Sequence, residues 1–192
     1  LAQAAADAGA KTILISGPTA LITPEHVRRI DVISADEMFQ ACMDTVYKST
    51  DTCDIFISTA AVADFKPVVV ATHKIKKDAQ DSVTLKMVKN PDIVATIAAQ
   101  ANAPFTVGFA AETQQLLEHA KSKLAKKQLD IIIANDVSNS EIGFDSDNNA
   151  LTIVTKNDVF IMSQKSKKQL AVDIISYIAT YIDKISPGIN KI

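Results

Sequence analysis

The sequence contains no tryptophan and few aromatics, three tyrosines and seven phenylalanines, which leaves little surface for stacking the bases of a nucleic-acid strand. Glycine is also scarce. Gly9, Gly17, Gly108, Gly143 and Gly188 form neither a G-x-G-x-x-G turn nor a Walker A loop, so dehydrogenase and P-loop readings are poor. Only two cysteines occur, Cys42 and Cys53, with no His or Cys at zinc spacing; reduced thiols are expected and a disulfide is unsupported. His26, His73 and His119 are scattered without ligand spacing and read as surface or packing residues, so no metal site is expected on the protein itself. No apolar run approaches the roughly 18 residues of a membrane span, and LAQAAADAGAKT has no basic segment ahead of an apolar core. With a net charge of −2 there is no broad nucleic-acid footprint either. A cytoplasmic protein that engages neither membrane nor nucleic acid is expected.

What is present is a hydrophobic content of 47% over 192 residues, enough for one domain with a sizeable core. Leu1 to Ala8 reads as the end of a helix closed by Gly9. Lys11–Ser16 is a short buried strand, Ile30–Ser34 a second, and a helix follows from Ser34 or Ala35 to Tyr47 with Met38, Ala41, Cys42 and Val46 on one face. Asp54–Thr59 is a strand. Val83–Val88 alternates like a half-solvated strand, and Asn90-Pro91-Asp92 opens a helix with Asn90 as its cap and Pro91 in its first turn, running to about Ala101. Phe105–Ala110 and Asp130–Asn135 are core strands flanking a helix from Glu112 or Thr113 to about Gln128, and the unbroken run DIIIAN suits a parallel strand covered on both faces. Ala150–Thr155 and Asp158–Ser163 flank Lys156-Asn157 as an antiparallel hairpin. A last helix, Ser166 to about Lys184, turns Leu170, Ile174, Ile178 and Ile182 inward, leaving residues 186–192 as a tail. Alternating strands and helices predict an α/β fold: three-layer, Rossmann-like, with a mostly parallel sheet and a C-terminal antiparallel hairpin.

The stretch from Asp54 to Pro91 organises the rest. A strand gives way to small residues with one carboxylate, AAVAD, and then to six lysines (Lys66, Lys74, Lys76, Lys77, Lys86, Lys89) against two aspartates before the next helix. Open α/β sheets bind ligands beyond their strand C-termini, and cations with a helix start can receive a polyphosphate. Asp145, Asp147 and Asn149 imitate the opening of a calcium loop. Ala150 and Lys156, however, stand where that loop needs Gly and a bidentate Glu.

Read together, ISGPT at Ile15–Thr19, AAVADF at Ala60–Phe65, KIKK at Lys74–Lys77, KNPDIV at Lys89–Val94, VGFAAET at Val107–Thr113, AKSKLAKK at Ala120–Lys127, ANDV at Ala134–Val137 and GFDSDNNA at Gly143–Ala150 follow the order of one family. The chain resembles the CTP-dependent phosphopantothenate–cysteine ligases of bacterial coenzyme A biosynthesis. The resemblance implies that CTP, with Mg²⁺ on its phosphates, activates 4′-phosphopantothenate to an acyl-cytidylate that L-cysteine then converts to an amide. It implies a nucleotide pocket made by Ser58, Thr59, Ala60, Asp64, Pro91, Asp92, Ile93, Val94, Phe109, Lys123 and Lys127, with Lys74 as the catalytic lysine reaching the triphosphate. It implies a ligase domain over residues 1–185 without the family's opening strand and asparagine-bearing loop, a homodimer paired through the basic arm, and a flavin-dependent decarboxylase fused ahead of it. The alternatives are a CTP-binding module without ligase activity and an interaction domain whose basic arm meets an acidic partner.

Overall fold

A computed structural model of the chain describes residues 1–75, 84–112, 115–136 and 148–185. Several expectations lie outside the described residues: Lys76 and Lys77 of the basic arm, Val83, the helix start at Thr113, Asp145 and Asp147 of the acidic loop, and the tail from residue 186 onward.

The central element is a five-stranded sheet in the order β3 (Ile55–Ser58), β6 (Phe105–Glu112), β7 (Ile131–Asp136), β8 (Asn148–Thr155), β9 (Val159–Ser166). Strands β3, β6 and β7 are parallel, and β8 and β9 add antiparallel strands on the β7 side. The alternation of β7 assigns its two faces. Ile132 and Ala134 join Val94, Ala98, Ala120 and Leu124 of helices α3 (Ile93–Ala98) and α4 (Leu116–Lys126), while Ile131 and Ile133 join Leu170, Ile174 and Ile178 of α5 (Lys167–Ile185). Leu170, Ile174 and Ile178 recur every four residues, as a helix seam requires, and each burial contributes about 1.5–3 kcal/mol. Helices on both faces of a mixed sheet with a parallel core make the fold a mixed α/β one. Tyr177 and Tyr181 of α5 stack at 6.1 Å and extend the packing to Phe160 of β9 at 5.4 Å and Phe105 of β6 at 6.2 Å.

Helix α1 (Ala2–Asp7) packs beside α5 and is ended by Gly9, whose φ of 93° is open to glycine at no steric cost. Strand β1 (Thr12–Ser16) pairs in parallel with β2, which occupies Val27–Asp31 rather than the expected Ile30–Ser34. The shift has a local cause. Ser34 accepts the Glu37 N–H and Glu37 reaches back to the Ser34 backbone, a capping box that commits Ser34 to the start of α2 (Ala35–Tyr47).

Three further boundaries differ from expectation. The strand expected at 83–88 is β5 (Met87–Lys89), paired antiparallel with a short β4 (Phe65–Pro67); Pro67 has no N–H to carry the ladder further, although Val68 still donates to Lys86. The cap of α3 is Asp92, whose Oδ1 accepts the Ala95 N–H at 3.1 Å, because Asn90 is already engaged with residues 63 and 64; the helix then stops at Ala98. Helix α4 begins at Leu116, after Gln115 in a left-handed conformation, because β6 keeps pairing with β7 as far as Glu112 opposite Asp136. Among the described residues no helix is long and apolar enough to cross a membrane.

Candidate functional site

Unequal strand lengths create the site. The last residue of β3, Ser58, lies opposite Gly108, while β6 runs four residues further, about 13 Å at strand rise. That step leaves a notch at the sheet's edge. The small residues of the loop after β3 enter it without filling it, α3 closes one side and α4 another. The resulting cleft measures ≈ 170 Å³ and is bordered by Ser58, Ala60, Asp64, the turn Asn90–Val94, Phe109, Lys123 and Lys127. Ten of the twelve expected site residues meet here: Ser58, Ala60, Asp64, Pro91, Asp92, Ile93, Val94, Phe109, Lys123 and Lys127. Thr59 is exposed directly after β3, and Lys74 is exposed in the segment after β4; neither borders the cleft.

The floor explains one glycine. A Cβ on Gly108 would come within 2.7 Å of Leu129 Cδ1, so the side chain that closes the bottom of the cleft can sit there only because position 108 has none. Phe109 points its ring into the cluster shared with α5 and remains half-buried at the cleft edge.

Charge is arranged unevenly. Lys123 and Lys127 lie one helical turn apart on α4 and bring two cations to the rim. Lys127 Nζ is 2.8 Å from Asp92 Oδ2, so its charge is already partnered. Asp92 also modifies the expected role of the α3 N-terminus: the helix has only six residues, and its cap carboxylate takes the Ala95 amide and complements the dipole itself. The anion-attracting power of the cleft therefore rests on the lysines rather than on free helix amides. Lys66, at the root of the arm, is ion-paired to Asp36 in the first turn of α2.

Two asparagines were missed by the sequence reading. Asn90 donates its backbone N–H to the Asp64 carbonyl and its Nδ2 to the Ala63 carbonyl, both at 2.8 Å, bolting the loop after β3 to the entry of α3. Its Oδ1 is buried with no partner among the described residues. So is Oδ1 of Asn135, which lies near the end of β7 between Ala111 and Leu151 in register. An unpaired buried acceptor costs about 1–3 kcal/mol, which makes such positions worth a functional explanation. Both residues sit inside the motifs KNPDIV and ANDV, each the amide side chain of its motif, which was the available signal.

Behind α3, Cys42 is buried against Ile93 and Ile97, and burial together with the neighbouring Cys53 pushes its thiol up to about 11. Burial raises Cys53 as well. Both shifts favour the protonated thiol over the nucleophilic thiolate.

The profile of the DNA/pantothenate metabolism flavoprotein C-terminal domain family matches residues 1–182. The chain is 49% identical over 177 residues to the coenzyme A biosynthesis bifunctional protein CoaBC of Vibrio parahaemolyticus, an alignment covering 91% of this chain and 43% of that protein. It thus spans less than half the length of the curated relatives it matches. Its fold matches the crystal structure of the C-terminal domain of a CoaBC bifunctional protein with a TM-score of 0.76 and 32% identity, covering 95% of this chain and 80% of the other. A Cab2 mutant in complex with phosphopantothenate-cysteine shares the fold at 19% identity, with a TM-score of 0.60 over 83% of this chain and 54% of that one.

Proposed function

The chain belongs to the DNA/pantothenate metabolism flavoprotein C-terminal domain family, and from that premise we propose that it joins 4′-phosphopantothenate to L-cysteine with CTP as the activating co-substrate. The observation that carries the reading is the meeting, in one cleft beyond the end of β3, of a small-residue turn with a carboxylate and two lysines from α4. Backbone groups of Ser58 and Ala60 can read the one donor and two acceptors of cytosine without side chains, Phe109 borders the base or ribose, and Lys123 with Lys127 receives phosphate charge.

A cleft of ≈ 170 Å³ is smaller than the ~300–1,000 Å³ usual for ligand sites, so the nucleotide extends beyond it. The basic arm supplies the remaining wall: Lys74 reaches the triphosphate when the arm closes. Magnesium would be held through the phosphate oxygens of the nucleotide and would neutralise charge there, with Asp64 the carboxylate that borders the cleft.

The chemistry is nucleotidyl transfer to the carboxylate followed by nucleophilic acyl substitution. The substrate carboxylate attacks the α-phosphorus of CTP, the bond to pyrophosphate breaks, and an acyl-cytidylate forms. The cysteine amine then attacks its carbonyl carbon, CMP leaves with the C–O electron pair, and the amine loses a proton. Activation is required because a carboxylate is a poor electrophile; the protein aligns the reactants and neutralises phosphate charge.

The arm also supports a homodimer. Phe65, Val69, Val70, Ile75 and Leu85 are each at least half exposed along it, an apolar surface of the kind that marks an interface. Residues 1–185 would form the ligase domain and 186–192 a tail, with a flavin-dependent decarboxylase ahead of it in a longer cytoplasmic protein, in keeping with the free thiols Cys42 and Cys53. The test is pyrophosphate release from CTP, Mg²⁺ and 4′-phosphopantothenate by the full-length protein, followed by CMP and amide on adding cysteine. Equal turnover with every nucleoside triphosphate, or none, would refute it.

A further inference from the structure

We propose that Asn90 is a positioning residue that sets the base selectivity of the cleft by clamping the loop after β3. The inference rests on the reading of the cleft as a CTP site. Three observations carry it.

Among the described residues the loop from Thr59 to Asp64 has no ladder partner of its own, and apart from Val62, which packs against the cluster of Cys42, Ile93 and Ile97, its side chains are exposed. Its backbone direction is nevertheless what a ligand recognised by backbone groups would read. Asn90 supplies the missing constraint with two donors, its N–H on the Asp64 carbonyl and Nδ2 on the Ala63 carbonyl. Because a trans peptide is planar, fixing the Ala63 carbonyl also fixes the opposed Asp64 N–H, and fixing the Asp64 carbonyl fixes the Phe65 N–H. The bare backbone bond could be made by any residue except proline, but the Ala63 bond requires a short side-chain donor. Asparagine at this position leaves its other end, Oδ1, buried and unpaired among the described residues. The engaged half of the side chain, Nδ2, is therefore the half through which it acts. The adjoining residues are tied to other tasks: Lys89 pairs with Phe65, Pro91 has no donor, and Asp92 caps α3. Asn90 supplies the polar link between the loop and the entry of the helix that forms the opposite wall, beside the packing of Val62 against the cluster of Ile93 and Ile97.

Selectivity is the appropriate readout. Loss of a purely architectural contact lowers stability and weakens all nucleotides alike, whereas release of a reading surface erases the difference between bases that present opposite donor patterns. Cytosine and uracil differ in this way, with an amino donor against a carbonyl acceptor at the same ring position.

The experiment compares CTP and UTP affinities by calorimetry, in the full-length protein and two variants, across a pH range. Asn90→Asp preserves shape but replaces the Nδ2 donor by an oxygen. Its preference for CTP should fall by about tenfold at neutral or higher pH, the factor that one net hydrogen bond supplies, and should recover as the carboxyl takes up a proton and can donate again. Asn90→Leu removes the donor and the orphaned acceptor together, so it keeps the fold if the charged variant does not, and should show the same loss at every pH. Retention of the wild-type CTP-to-UTP ratio by Asn90→Leu overturns the inference, as does a parallel loss of both affinities with the ratio unchanged. If the wild-type protein itself fails to distinguish CTP from UTP, the reading of the cleft fails instead.

Discussion

Replacing Asp92 by asparagine and by alanine separates two functions of one side chain. Asp92 Oδ1 caps α3 through the Ala95 N–H, and Oδ2 holds Lys127 at 2.8 Å. A cap of this type contributes about 1 kcal/mol, within a range of about 0.5–2, and asparagine caps as well as aspartate. The ion pair is partly solvated, with the lysine side chain 31% and the aspartate 47% exposed, which places it in the range of about 0.2–1 kcal/mol. Asp92→Asn should therefore cost under about 1 kcal/mol, and Asp92→Ala about 1–2.5, in urea unfolding at unchanged slope. At high salt the cost of the asparagine variant should shrink while the gap between the two variants persists, since screening acts on the pair and hardly on the cap. Equal destabilisation by both variants would refute the assignment of Asp92 as the cap, and a cost for alanine below about 0.5 kcal/mol would do the same.

If the arm closes over the triphosphate with alternate residues on one face, Lys74→Gln should weaken CTP binding or activation by about 2–5 kcal/mol, more than Lys76→Gln and more again than Lys77→Gln. Equal losses under about 1 kcal/mol that fade with salt would return the arm to solvent. Gly108→Ala should cost about 1–3 kcal/mol in thermal melts, since the new Cβ meets Leu129 Cδ1 at 2.7 Å, and Leu129→Val should relieve part of it; a variant as stable as wild type would show the floor to be loose. Cys42, with its thiol raised to about 11, keeps its proton in the fold after the unfolded chain has lost it. Stability should thus fall as pH rises from about 9 to about 11, and the fall should be smaller in Cys42→Val, measured as the difference between the two proteins in denaturant titrations at each pH.

The sequence made the cores of elements legible and their ends less so, for a physical reason. Leu170, Ile174 and Ile178 announce the seam of α5, and DIIIAN announces a strand covered on both sides, because burial writes a period into the chain. The end of β6 is written nowhere nearby. It extends to Glu112 because Asp136 lies opposite, a partner twenty-four residues away. The site divides in the same way. The ten residues that the fold brings together follow from the family resemblance, whose motifs are themselves local: small residues after a strand and lysines four apart on a helix. Asn90 was invisible as a clamp because its partners, Ala63 and Asp64, are reached only through the arm that returns the chain to the loop. Local propensity favoured it as a helix cap, and tertiary contact gave that place to Asp92.

The tyrosines fall into two groups on opposite sides of the molecule. Tyr47 donates its hydroxyl to the Ile97 carbonyl on α3, at 3.0 Å, behind the wall of the cleft, whereas Tyr177 and Tyr181 lie stacked where α5 meets the sheet. With no indole present to collect their excitation, phenol emission leaves the protein directly. Removing the Tyr47 ring by a Tyr47→Leu exchange leaves a signal from the α5 pair alone, and subtracting it from the parent spectrum isolates the ring behind the cleft. The protein thus carries two built-in optical channels, one for the seating of α3 when a ligand enters and one for the docking of the last helix, and neither requires an attached dye.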